Sequence, residues 1–429
     1  MTRKQLLIIS GGVLAIIIVL IIFGLIKNPR PTPAHLEIWS VYEDRDDIKE
    51  LIEEYEDANS HIKIEFKEKS FETYEEELIN AFAADRGPDI WMMHNTWLAK
   101  HQDKIKKMPS DLMSLAQLRQ RFVDIIEFDM VRDGDIYGLP LYVDTLALFY
   151  NKDLLNSAGI SSPPKTWKEV VEYIPLLVKK NRYGDIEQAG AALGTAENIN
   201  RSVDVLYLLM LQNGTNMVDK ERKSVDFDKS ISLDGETYYP GRDSLRFYAD
   251  FSDPSNRVYT WNRQMPYSVD AFVEGDAAIM FNYSHHISTI REKAPYLNFS
   301  VSSMPQIENS KFDINYGNYW AYTVSKKTKA YNEAWKFILY LTQERNAKRY
   351  LENSGRPTAH RSLVDWQKED LDLSVFAKQS LSARSWYQAD SEEIENIFIE
   401  TIKDIVLGRS TVAVAIKKAA DKVTLLLDK

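Results

Sequence analysis

Aromatic rings set beside amides and carboxylates are the chemistry this sequence offers most densely. Nine Trp and 23 Tyr occur among its 429 residues. Trp39 stands just before Tyr42 and Glu43, and Trp97 follows His94 and Asn95. Asn318 precedes Tyr319 and Trp320, and Trp386 precedes Tyr387. A sugar suits such surroundings, because its apolar faces lie flat on aromatic rings while its hydroxyls pair with amides and acids. A site of that kind is concave and mostly apolar, with a few placed polar groups. Any one of these rings also suits a protein core, so the inference rests on the set.

Signals for catalysis are poor. The chain has no His-x-x-x-His, no Gly-x-Ser-x-Gly and no phosphate-cradling glycine loop. His285 and His286 are adjacent, so on a helix or strand they point apart; one ring lining a cleft or buried, with the other solvated, is the expected arrangement. No spacing singles out two carboxylates as a glycosidase pair. Asp44, Asp46 and Asp47 read as a helix cap and an acidic first turn rather than as ligands. Zero cysteines exclude disulfides, thiolate metal sites, a thiol nucleophile and a lipid-bearing cysteine. The expectation is binding without catalysis, metal or cofactor.

The elements that must position these residues follow from periodicity. Leu36–Val41 reads as a strand. Ile48, Leu51, Ile52 and Tyr55 recur at helical spacing. His61–Phe66 alternates, Tyr74, Leu78 and Phe82 mark another helix, and Asp89–Met93 is a continuous apolar strand. Strand–helix–strand–helix–strand with short connections predicts a parallel sheet covered by helices. Ligands sit beyond the carboxyl ends of such strands, here Ser40–Asp44 and His94–Trp97. Farther on, Ile136–Val143 and Leu146–Tyr150 read as strands. Thr166–Glu169 is a capping box opening a helix that Pro175 is expected to kink. Asn332–Glu344 is amphipathic, and the last forty residues are helical with an interruption at Gly408.

The amino terminus sets a location. Leu6–Ile26 carries no charge, and its 21 residues reach about 31 Å as a helix, enough for a hydrocarbon core of roughly 30 Å. A secretory signal has a shorter apolar region and a small-residue cleavage site. A retained anchor is therefore expected over residues 1–26, its tip cytoplasmic, followed by a Pro-rich linker over 27–35. Net charge is −10, or −14 without Arg3, Lys4, Lys27 and Arg30, which is unsuited to nucleic acid.

Several short motifs, in order, then carry a resemblance. They are Ile38–Glu43 (IWSVYE), Gly87–Ile90 (GPDI), Asp135–Asp144 (DIYGLPLYVD), Leu148–Leu154 (LFYNKDL) and Ser162–Trp167 (SPPKTW). Phe272–Met280 (FVEGDAAIM), Tyr316–Ala321 (YGNYWA), Gly355–Pro357 (GRP) and Gly408–Thr411 (GRST) complete them. From Leu36 onward the chain resembles the extracellular solute-binding proteins of ABC importers, the family that includes maltose- and other sugar-binding proteins.

That resemblance implies an α/β fold of two lobes joined by a hinge, the type II periplasmic-binding-protein form. Lobe 1 would comprise 36–145 and 318–364, and lobe 2 146–317 and 365–429. It implies that Asp144 contacts a sugar hydroxyl. Asn200 and Asp204 would reach the ligand from the second lobe, and Trp386 would stack on it. The chain departs from the family in carrying His94, Asn95 and Trp97 after the Pro-Asp strand, and Asn282–His285 where a Trp is frequent. The implied protein is a monomer that closes on a carbohydrate and docks on permease subunits. A polyamine or other cation in the same cleft, an anchored glycoside hydrolase and a ligand-sensing partner of a membrane kinase are the alternatives.

Overall fold

The computed structural model describes residues 32–427. The predicted anchor and the start of the Pro-rich linker lie outside the described residues. Among the described residues no helix is long and apolar enough to cross a membrane.

The first strands and helices form where periodicity puts them. β1 (Ala34–Ser40), α1 (Arg45–Ala58), β2 (Ile62–Glu68), α2 (Phe71–Ala83) and β3 (Ile90–His94) follow one another with short turns. Asp44 caps α1, its carboxylate accepting from the Asp46 N–H at 2.9 Å, while Ile48, Leu51, Ile52 and Tyr55 face inward. β1 lies parallel to both β2 and β3, with Ile38 opposite Phe66 and Ile90. The expected strand over Ile136–Val143 is broken. Asp135–Ile136 and β4 (Leu139–Pro140) pair as separate short strands and Tyr142 makes an isolated bridge with Thr358, because Pro140 has no N–H to extend a ladder.

The chain then passes through β5 (Asp144–Thr145) into β6 (Ala147–Asn151), the centre of a second sheet. There β7 (Ile279–Asn282) and β8 (Phe299–Ser302) flank it, both antiparallel. The capping box at Thr166–Glu169 opens α3 (Trp167–Leu177), which continues through Pro175 and stops two residues later. The chain returns through β9 (Asn315–Asn318) to β10 (Trp320–Val324). β10 completes the first sheet antiparallel to β3, with Trp320 opposite His94. The expected helix over Asn332–Glu344 ends at Leu341, and a separate one spans Glu344–Ser354. Two final helices, Ser391–Val406 and Val412–Leu427, flank the break at Gly408.

Burial separates two main cores. One draws on Leu36–Val143 and Tyr319–Leu363, with Ala383; the other draws on Leu146–Tyr316 and Trp386–Val423. Between them β5, β9 and Ala383–Arg384 make a small three-stranded sheet where the chain crosses. Gly317 sits in that crossing because a Cβ there would lie 2.5 Å from Ile125 Cδ1. The fold is a two-lobed α/β structure.

Candidate ligand-binding cleft

The carboxyl ends of β1 and β3 and the start of β10 meet at one edge of the first sheet. An aromatic cluster gathers there around Trp320. Its ring lies 5.0 Å from Trp97, 5.3 Å from His94, 6.0 Å from Tyr74 and 6.1 Å from both Tyr42 and Phe71. Trp320 is nearly covered by these neighbours, whereas Tyr42 is 55 % exposed and Phe71 is 47 % exposed. Tyr42 and Phe71 lie 5.1 Å apart. Together they present ring surface at the edge where the parallel strands end. Tyr42 adopts the left-handed region at φ 57°, and the Arg356 guanidinium donates to its carbonyl. Arg356 also lies 4.3 Å over the Tyr142 ring.

The second lobe supplies a polar wall. Asn200, Arg201 and Asp204 surround the start of the helix Ser202–Gln212, and His285 precedes the helix His286–Lys293. Tyr283 joins the two groups. Its hydroxyl donates to Asp204 at 2.8 Å, and the Arg201 guanidinium lies 5.4 Å over its ring. Tyr267, 43 % exposed, lies beside Asn200. The charge of Arg201 acts on Tyr42 and His94 of the first lobe, so this wall lies near the aromatic cluster.

The electrostatics of the cleft are set by burial and two arginines. Burial takes His94 down to about 4, with Arg201 adding to the effect and a hydrogen bond with Asn318 opposing it. Burial and then Arg201 take His286 down to about 4. The His285 ring reaches solvent, yet the surrounding chain, His286, Arg201 and Arg356 all weigh against a charge on it. All three imidazoles are neutral near pH 7 and serve as hydrogen-bonding groups. Among the described residues no group of three His, Asp or Glu could hold a metal ion.

Bacterial extracellular solute-binding proteins match over residues 42–348. The chain belongs to that family of binding proteins. The galactooligosaccharide-binding protein of Bacillus subtilis is 23 % identical over 369 residues, covering 85 % of this chain and 80 % of the relative. The sugar-binding protein MalE of Xanthomonas citri superposes with a TM-score of 0.76 at 20 % identity, covering 92 % of this chain and 98 % of that one. The cyclic alpha-maltosyl-1,6-maltose-binding protein of Arthrobacter globiformis gives a TM-score of 0.77 at 17 % identity, covering 92 % and 99 %. At these identities the structural likeness speaks for the fold alone.

Within this solute-binding protein the residues singled out from sequence divide sharply. Tyr42, His94, Trp97 and Asn318 gather on the first lobe, and Asn200, Asp204 and His285 on the second. The others serve the framework. Trp39 donates to Glu37 at 2.5 Å and is covered by Lys69, 3.9 Å over its ring. Glu43 lies under the sheet end, accepting from Tyr350 at 2.8 Å and from Tyr322, and burial pushes it up to about 7. Asn282 and Tyr319 are fully buried. Trp386 is packed in the second core, 5.2 Å from Tyr207. Asn95 donates to Asp129 at 3.0 Å, and Asp129 also accepts from Tyr319 and from Ser385 across the junction of the cores.

Asp144 brackets the crossing segment. Its carboxylate accepts from the Ser284 hydroxyl at 2.6 Å, the Ser284 N–H at 3.0 Å and the Thr145 N–H at 2.8 Å. Burial nevertheless pushes it up to about 6. A ligand hydroxyl there would share lone pairs already in use. Phe71, Arg201, Tyr267 and Arg356 were not legible as site residues. Only Trp320, quoted beside Tyr319, had a usable signal, since the two neighbours face different ways as the strand begins.

A surface hollow of about 750 Å³ lies elsewhere. It is lined by Lys106, Lys107, Lys326 and Tyr137 near the far end of β10 from the cleft.

Proposed function

We propose that this chain is the carbohydrate receptor of an ABC importer. Residues 6–26 anchor it in the membrane, and 27–35 tether an extracytoplasmic pair of lobes. A sugar, an oligosaccharide by preference, lies between lobe 1 (36–145 and 318–364) and lobe 2 (146–317 and 365–429). The observation that carries this reading is the exposed pair Tyr42 and Phe71, backed by Trp320, with Arg201 of the polar wall near enough for its charge to act on Tyr42. A sugar has both faces that such a cleft requires, apolar C–H surface and a rim of hydroxyls. The galactooligosaccharide-binding relative from Bacillus subtilis supports the same class of ligand.

Closure follows from contacts made with both lobes at once, since a ligand shifts an equilibrium only by its differential affinity for the two states. Moving the lobes from mostly open to mostly closed requires a differential of about 5 kcal/mol. The closed monomer then presents its solute to permease subunits, and the tether raises its effective concentration at the membrane. Arg201 and Arg356 at the cleft weigh against a polyamine, because like charges repel.

Calorimetric titration of the full chain in detergent with mono- and oligosaccharides and with spermidine tests this reading. Saturable sugar binding is expected. Spermidine binding without a sugar response transfers the cleft to cations, and turnover of an aryl glycoside makes the chain a hydrolase.

A further inference from the structure

Arg201 combines an unusual backbone conformation with a buried donor that nothing in the protein satisfies. It occupies the left-handed region at φ 62° and ψ 25°, a conformation that side-chain-bearing residues seldom adopt without a functional or structural constraint. Its Nε is buried and has no hydrogen-bond partner. Two carboxylates stand near it, Asp204 on the same helix and Glu395 on the helix Ser391–Val406, and neither forms an ion pair with it among the described residues. The Asp204 carboxylate accepts instead from Tyr283. Burial raises both acids from their ordinary values. Tyr283, Tyr267 and Tyr42 are the other groups that face it.

One face of the guanidinium thus rests on the Tyr283 ring while its buried Nε lacks an acceptor. A buried N–H donor without an acceptor is costly, and a planar fork of N–H donors matches a carboxylate two bonds at a time. Asp204 and Glu395 act on the charge without bonding to it, so the Nε–H is left for an acceptor that a ligand brings. Arg356 adds a second positive charge on the first lobe, beside Tyr42.

We propose that Arg201 reads an anionic group on the saccharide, a carboxylate of the uronic acid type, while Tyr42 and Phe71 hold the sugar face opposite. This inference rests on the carbohydrate reading above and narrows its substrate class. It sets Arg201 as a specificity-determining residue that contacts ligand only when the lobes are closed.

The test is titration of the full chain with two matched panels. One holds oligomers of galacturonate, glucuronate and mannuronate together with their methyl esters, which keep the sugar and remove the charge. The other holds neutral malto-, galacto- and manno-oligosaccharides. A uronate is expected to bind most tightly, its methyl ester about thirtyfold more weakly, as for loss of a charge-assisted hydrogen-bonded pair. Arg201→Gln should remove that difference while leaving the melting temperature near that of the wild type. Arg201→Lys should restore only part of the uronate affinity, because charge returns without the fork. A neutral oligosaccharide that binds more tightly than every uronate, unaffected by Arg201→Gln, overturns this inference and leaves the carbohydrate reading standing. Silence from both panels overturns the carbohydrate reading and this inference with it.

Discussion

Lys100 and Asp390 join the two lobes through an ion pair of 3.0 Å. Lys100 is also 3.0 Å from Glu75 on its own side. Burial acts to raise Glu75, but His101 and Lys100 override it and take that acid down to about 2. Asp390 caps the helix Ser391–Val406, accepting from the Glu393 N–H, so the pair ties a helix end of one lobe to the other lobe. A contact of this kind weights one arrangement of the lobes over another, and the closed one is the expected choice.

Asp390→Asn should weaken ligand affinity modestly, since partly exposed pairs contribute roughly 0.2–1 kcal/mol, or about a 1.4- to 5-fold change. The amide retains the helix cap, which separates loss of the latch from loss of the helix. Titration at low and high salt checks this. The wild type should approach the variant as salt rises, and an equal gap at both salts would assign the effect to something other than charge.

Tyr42 offers a variant in which stability and binding part company. At φ 57° its backbone suits glycine, while its exposed ring belongs to the proposed platform. Tyr42→Gly should change unfolding free energy by less than about 1 kcal/mol. Sugar affinity should fall roughly tenfold, the loss of one aromatic contact worth about 1.4 kcal/mol. Urea unfolding alongside titration of the same sample reads both quantities. Unchanged affinity would remove Tyr42 from the site.

The parallel β1–β2–β3 unit was legible because alternation, helical spacing and short turns all agreed. The gathering of aromatic rings at the ends of those strands was legible with it. Which ring of a pair faces the cleft was not. Tyr319 and Trp320 are neighbours of similar type, and only the pairing of Trp320 with His94 assigns their directions. Trp386 and Asn282 carried no mark to distinguish a packed residue from an exposed one. Arg201 was invisible for another reason. A single arginine before an apolar helix is an ordinary surface pattern, and its meaning comes from φ and from partners distant in sequence.

Glu43 gives the stability a pH dependence of known sign. Burial pushes its carboxyl up to about 7, so the folded state holds a proton that the unfolded chain releases near its ordinary value. The corresponding stability is fully present below that ordinary value and is lost as pH rises through about 7. Glu43→Gln removes this titration. The wild type's advantage over the variant should shrink on going from pH 5 to pH 8, by an amount on the order of 3 kcal/mol. Comparing the variant with the wild type cancels the opposite contribution of His94, His286 and His360, each lowered by burial. Urea midpoints at four pH values read the slope, and parallel curves would mean that Glu43 is ionised in the folded protein throughout.

Gly317 tests the crossing between the lobes. Its strand pairs with Thr145 on one side and continues from the pairing of Asn315 with Ala383 on the other. A Cβ would meet Ile125 Cδ1 at 2.5 Å and Ala383 Cβ at 3.3 Å. Gly317→Ala should destabilise the protein by about 1–3 kcal/mol through overpacking. The closer contact is the end of a flexible side chain, so Ile125→Val, which deletes that methyl, should return much of the loss. A double-mutant cycle measures this coupling directly, and an interaction above roughly 0.5 kcal/mol is expected for residues in such contact. Additive losses would instead locate the cost in the backbone of the crossing strand. In that case Gly317→Ala would alter ligand-driven closure even with Ile125→Val present, because closure bends the same segment.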